Sequence, residues 1–353
     1  MKKLIFAALA IAAMAACTKS NVEFGQQNEI AFQPVAQKAT KAAVVGTYYP
    51  IEDEYNFKVW AWWGEAGKTD IVDFDIDYIN DQTFENRDYV LWGGLGKSYY
   101  WPTTGSLYFA GYSPASIQRI DENGEYIVKY DKDSKTFSVT GYQQSTDISN
   151  TIDLMWFHLT DQSYDRTTDA VPVQFHHALS WLSFRFNLEQ PYTPTDWTVK
   201  SVKLTGIETK GNFTAVKTGT SSEQGDAAWS SWDETKEVQV YKNDTGYQVT
   251  YVTNDYDPLA DDTSVPENTK NGVLVLPQSC APSAASLVIE FQQVAPSGDI
   301  VPQTKTLNLG GATDAWLPGK HYIYTITFGA EEILIAPTVV NWTVEGNLSV
   351  PVE

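Results

Sequence analysis

A chain of 353 residues with a formal charge of −20 has no electrostatic grip on nucleic acid or on anionic headgroups, which excludes those binding classes. It also exceeds the length at which single cores stop growing, about 250–300 residues, so two domains are expected. Aromatic residues make up 13 %, with 12 Trp and 20 Tyr, a bias that suits pleated, half-buried surfaces and points to an all-β class.

Met1-Lys2-Lys3 is basic, residues 4–13 are apolar, and Met14-Ala15-Ala16-Cys17 is a small-residue cleavage site ending in cysteine. The apolar run is shorter than the about 20 residues a membrane-spanning helix needs, so the start of the chain reads as a signal peptide. Its end on Cys17 looks like a lipobox, in which the cysteine is lipidated and becomes the new N-terminus. Met14 stands where such motifs usually carry Leu, and an ordinary secretory signal is the alternative. The other cysteine, Cys280, then has no partner, so this exported chain has no intramolecular disulfide and depends on burial.

Residues 28–37, NEIAFQPVAQ, form the first predicted strand, with Ile30 and Phe32 on one face. Lys38-Ala39-Thr40-Lys41-Ala42-Ala43 follows, small, polar and basic, with little to bury and therefore exposed. It is either a plain tether, which the residues by themselves favour, or a processing site after Lys41 or Lys38. In residues 57–63, Phe57, Val59, Ala61 and Trp63 share one face; Trp60 and Trp62 take the other and leave a second packed layer or a contact surface open. Asp73, Asp75 and Asp77, with Asp81, are the best candidate for a hard cation such as calcium. Their alternation with Phe74, Ile76 and Tyr78 instead fits a strand with a solvated acidic face, and the sharp-turn glycine of a calcium loop is missing.

Further strands are predicted over 107–112, 125–130, 136–140 and 154–159, with turns at Gly93-Gly94, Pro102 and Asn123-Gly124. Residues 173–188, VQFHHALSWLSFRFNL, organise the chain. Val173, Phe175, Leu179 and Trp181 set one apolar phase; Leu182, Phe184, Phe186 and Leu188 set the other. That switch implies a bulge or kink between Trp181 and Leu182, in a strand that opens a second sandwich. Strands then follow over 199–204, 238–241, 247–253, 273–276, 287–291, 304–309 and 320–328, with polar loops at 211–232 and 253–271. This spacing without helical patterns argues for antiparallel sandwiches.

Chemistry is sparse. His176 and His177 are adjacent and face opposite ways on a strand, so they cannot chelate one metal. His158 and His321 sit alone among aromatics. There is no phosphate loop, nucleophile elbow or Cys/His metal spacing, so no catalysis, cofactor or metal is expected.

Several motifs in order carry a family resemblance. They are the lipobox Met14-Ala15-Ala16-Cys17, the strand and basic segment over 29–43, and Tyr99-Tyr100-Trp101-Pro102 leading into LYFAGYSP at 107–114. Phe175-His176-His177-Ala178-Leu179-Ser180, the WLPGKHYIY run at 316–324 and Asn341-Trp342 complete the set. With them the chain resembles the fimbrillins of the Bacteroidales type V pilus, the FimA/Mfa-like superfamily. Lys41 stands where many relatives carry Arg.

The resemblance implies two transthyretin-like β-sandwich domains, export as a lipoprotein to the outer membrane, and removal of the first strand by a trypsin-like protease. The emptied groove would be filled by the C-terminus of another subunit, here with Leu348, Val350 and Val352 on one face of the donor strand. The expected layout is a signal over 1–17, a pro-segment over 18–41, and sandwiches over 42–172 and 173–353. The expected role is a structural pilus subunit that supports adhesion. Its partners would be other fimbrillin subunits, the outer membrane through lipid on Cys17 before processing, and a glycan or protein receptor. The alternatives are a tip or anchor subunit that caps the pilus, and a monomeric surface lipoprotein that binds glycans through exposed Trp and Tyr.

Overall fold

The computed structural model describes residues 24–35, 49, 55–68, 74, 76–88, 91–118, 127–147, 151–165, 170–190, 197–216, 226–251, 272–280, 285–294, 297–329 and 332–341. Strands come first in chain order as β1 (Phe24–Glu29), β2 (Phe32–Val35), β3 (Phe57–Gly64), β4 (Ile76–Asp88), β5 (Leu91–Gly94), β6 (Tyr100–Pro102) and β7 (Ser106–Ser113). Next are β8 (Val128–Asp131), β9 (Thr136–Gln143), β10 (Met155–Gln162), β11 (Val171–Gln174), β12 (His176–His177) and β13 (Ser180–Leu188). The remainder are β14 (Trp197–Val216), β15 (Asp226–Gln248), β16 (Val273–Val275), β17 (Ser286–Val294), β18 (Ile300–Asn308), β19 (Lys320–Phe328) and β20 (Ile333–Asn341). The expected all-β sandwich class is borne out.

The first sheet has eight strands in the order β11-β2-β5-β4-β3-β7-β10-β12. Period-2 alternation gives it two apolar faces. Phe57, Val59 and Ala61 of β3 join Leu107 and Phe109 of β7 in one core. The sheet curls around that core: the Phe175 ring, just past β11, meets Phe157 of β10 at 5.2 Å. Trp60 and Trp62 point the other way, into a second core that β9 and β14 close with Phe137, Val139, Phe213 and Ala215. They form a packed layer and are not an exposed platform.

A four-stranded sheet, β16-β13-β19-β20, packs Leu182, Phe184, Phe186 and Leu188 against Val199, Val202 and Leu204 of β14 in a third core. The remaining large sheet runs β18-β17-β14-β9-β8, with β15 along the other edge of β14. At 20 residues, β14 serves two cores, the third at its start and the second at its end.

Four expectations are corrected. The predicted loop over 211–232 is mostly strand, because Phe213 and Ala215 alternate inward between polar neighbours and keep β14 paired to β15 and β9. Residues 173–188 are three strands, and β13 pairs with β19 from Trp181 to Leu188 without a register shift. The apolar phase changes because Trp181 faces the second core and Leu182 the third, not because of a bulge. Gly93-Gly94 lies inside β5 rather than in a turn. Two pairings, β2 with β11 and β13 with β19, are parallel.

Candidate functional site, a strand groove in the first sheet

The first predicted strand is divided. Residues 24–29 form β1, which pairs with β6, and residues 32–35 form β2. β2 is an interior strand: it runs parallel to β11 over Phe32 to Val35 and pairs antiparallel with β5 at Phe32 opposite Trp92. Two further backbone bonds secure the approach, Ile30 N–H donating to the Tyr99 carbonyl at 2.7 Å and Val171 N–H to the Ala31 carbonyl at 2.8 Å.

Ile30, Phe32 and Pro34 face inward, and Ala31 and Gln33 are only half-buried. Phe32 is fully buried and meets four rings: Phe84 at 4.9 Å, Phe109 at 5.1 Å, Phe57 at 5.9 Å and Phe157 at 6.2 Å between centroids. The first three contacts are edge-to-face, the favourable arrangement of ring quadrupoles. At the entry, the Arg87 guanidinium pairs with the Glu29 carboxylate and donates to the Gly94 carbonyl at 2.7 Å. Glycine at 93 makes room for that guanidinium, since a methyl there would overlap it. The ion pair is more than a third exposed on the Arg87 side and contributes little by itself.

Tyr49 belongs to the same core. Its ring stacks on Phe175 at 5.1 Å and its hydroxyl donates to the Tyr55 carbonyl at 2.7 Å. A second partner of that hydroxyl is Ser113 Oγ. Burial pushes the phenol well above its ordinary pKa, so it stays neutral and available as a donor. Thus Phe32 before the basic segment and Tyr49 after it are anchored in one core.

Cys17, Lys38, Lys41, Asp73, Asp75, Leu348, Val350 and Val352 lie outside the described residues. Asp77 is exposed on β4, as a solvated acidic face requires. Asp81 sits at a bulge with φ 45° and accepts from Lys58 Nζ at 2.9 Å. No cluster of three or more His, Cys, Asp or Glu able to hold a metal ion occurs among the described residues.

Three of the four histidines are buried. His177 Nδ1 lies 3.0 Å from a buried Asp153 oxygen, and His158 Nδ1 lies 2.8 Å from the Tyr108 hydroxyl. His321 stacks on Trp181 at 3.6 Å, and burial lowers its pKa to about 3. Cys280 is buried as a free thiol, pushed up to about 12 by desolvation.

Phe84, Trp92, Phe109 and Arg87 line or latch the groove, and sequence reasoning assigned none of them to it. The usable signal was Trp92 beside two glycines, which reads as a turn.

The family model described as fimbrillin-like matches residues 40–342. The chain belongs to the fimbrillin-like family. Solved structures similar to this fimbrillin-like chain include a protein assigned to cell adhesion from Bacteroides uniformis, 16 % identical over 90 % of this chain and 100 % of that one, with a TM-score of 0.50. A fimbrial protein from Bacteroides vulgatus is 12 % identical over 90 % and 100 % of the two chains, also with a TM-score of 0.50. At these identities the likeness concerns the fold. No curated protein matches the fimbrillin-like chain by sequence. Family membership makes it a fimbrial protein that works with other fimbrillins at the cell surface.

Proposed function

We propose that the chain is a structural pilus subunit, exported as a lipoprotein on Cys17, cut within the Lys38–Lys41 segment, and polymerised by replacement of β2. The observation that carries this reading is the shared core of Phe32 and Tyr49. Cutting between them leaves β2 held without a covalent link to the rest of the sheet, by ladder bonds, apolar contacts and the Glu29–Arg87 pair. An emptied seat would expose the backbone edges of β5 and β11 together with a core face. Such a groove is avid for a replacement strand.

The replacement would come from the C-terminal tail of a neighbouring fimbrillin, and this chain in turn would donate its own tail, with Leu348, Val350 and Val352 on the inward face. In this reading residues 1–17 are the signal and 18–41 leave on processing. The boundary expected between 172 and 173 falls within β11, which with β12 belongs to the first sheet, so the second sandwich opens at β13, and β14 pairs with β9 across the two. The outer membrane holds the precursor, and the extracellular fimbrium holds the product.

Mild trypsin on the folded precursor, followed by N-terminal sequencing, tests the processing step. Sequence reading from Ala39 or Ala42 is expected, with β2 still co-purifying until a competing strand is added. Sequence reading from within either sandwich overturns the proposal.

A further inference from the structure

Replacement of β2 raises the question of which chain supplies the incoming strand, and the groove bears on the answer. Its central pocket is built from rings. Phe57, Phe84, Phe109 and Phe157 come from four different strands, and all meet Phe32. A group entering this place has to match a benzyl side chain in volume, because interiors are close-packed and an unfilled hole forfeits contacts as well as transfer energy. Tyrosine would bring a hydroxyl to four rings that offer no acceptor, and tryptophan would overpack the site.

The chain's own tail does not match. The inward positions of the seated segment are 30, 32 and 34, and the alternating positions of the tail are Leu348, Val350 and Val352. Both sets are three residues spaced two apart, so Val350 falls at the centre whichever way the strand runs. Valine leaves most of the ring's space empty. No Phe, Tyr or Trp occurs after Trp342. Trp342 lies eight residues before Val350, and its side chain is larger than the benzyl group this place holds.

Resting on the strand-exchange reading above, we infer that this groove is matched to a strand with phenylalanine at its central inward position, supplied by a different chain rather than by a second copy of this one. The joint at this face of the polymer is heterotypic, and the chain's own tail serves a groove with a smaller central pocket.

The test starts from the folded chain cut in the Lys38–Lys41 segment and titrates it with fluorescein-labelled peptides, read by anisotropy. The peptides are residues 28–37 as the native occupant, the native tail 345–353, and that tail with Val350→Phe or with Val352→Phe. The Val350→Phe tail is expected to bind at least about tenfold tighter than the native tail, and the Val352→Phe tail to show no comparable gain. Equal binding by native and Val350→Phe tails, with peptide 28–37 bound, overturns the aromatic match and leaves strand exchange standing. An equal gain from Val352→Phe also overturns it, because hydrophobicity rather than the central pocket is then the cause. Failure of every peptide, 28–37 included, removes strand exchange itself and the match with it.

Discussion

Phe32 and Phe84 pack edge to face, with ring centroids 4.9 Å apart and planes at 81°. The pair joins an N-terminal strand that precedes the basic segment to a strand of the mature first sheet, so the folded precursor depends on a segment it is proposed to lose. Phe32→Ala is therefore expected to lower the stability of the uncut chain by about 3–5 kcal/mol, the usual cost of removing a buried ring. Urea unfolding followed by tryptophan fluorescence measures it. A loss below about 1 kcal/mol, typical of an average substitution, would show that β2 is a passive edge and not part of the core.

A second prediction concerns the floor of the same pocket. Gly111 of β7 lies between Val59 of β3 and Phe157 of β10. A methyl at that position would lie 2.6 Å from the Lys58 carbonyl oxygen and would overlap the Phe157 ring. Gly111→Ala is expected to destabilise by about 1–3 kcal/mol through overpacking and to loosen β2, since Phe157 also meets Phe32. Trypsin release of residues before Lys38 should then be faster than in the wild type. A stable variant that holds β2 as firmly as the wild type refutes the link between Phe157 and the groove.

The pH dependence should carry the mark of His321. Burial against Trp181 lowers its folded pKa to about 3, from an ordinary value of 6.5, because the charged ring would lose its solvation. The unfolded chain thus binds an extra proton between those values, and its contribution to stability is complete above pH 6.5 and is lost as pH falls toward 3. The slope reaches at most about 1.4 kcal/mol per pH unit. Urea midpoints at neutral and mildly acidic pH, compared between wild type and His321→Phe, read this directly. The variant keeps a ring on Trp181 but takes no proton, so its acid loss should be smaller; identical losses would assign the acid sensitivity to other groups.

The period-2 alternation of Ile30 and Phe32 was legible in the sequence, and so was the exposure pattern around Asp77. What stayed hidden was which distant strand each one meets. Nothing local in Val171 to Gln174 announces a parallel partner near the N-terminus, because pairing partners are set by the global fold. The Trp92-Gly93-Gly94 run looks like a turn, yet its glycines serve close approach, with the Arg87 side chain lying over Gly93. Around Phe213 the sequence is polar enough to suggest a loop; only every second residue faces the second core, and that is sufficient to keep β14 extended.

Export as a lipoprotein is tested at Cys17, the residue proposed to carry the lipid of the precursor before processing. Cells expressing the protein and fed an alkyne fatty acid should label it at Cys17, and Cys17→Ser should remove the label. Retained labelling in that variant points to a different acylation site or to an ordinary secretory signal.

The last prediction addresses the tail as donor. Each inward Val or Leu of a donor strand moves from water into an apolar groove, a gain of about 1.5–3 kcal/mol per side chain before the ordering of the tail is subtracted. Leu348, Val350 and Val352 together supply several such units, enough for concentrated, cut protein to form short ladders with itself even where the central pocket is underfilled. Removing residues 347–353 should leave a folded, cleavable subunit that builds none. Val350→Asp should come close to the same result, because a carboxylate would be buried without a partner at the centre of the strand. Gels run without heating resolve such ladders, and mixing cut wild-type with cut truncated protein distinguishes donor from acceptor: the truncated chain should end a ladder and never extend it. Ladders of equal length from both proteins would show that this tail is not the donor and would move a tip or anchor role ahead of the stalk.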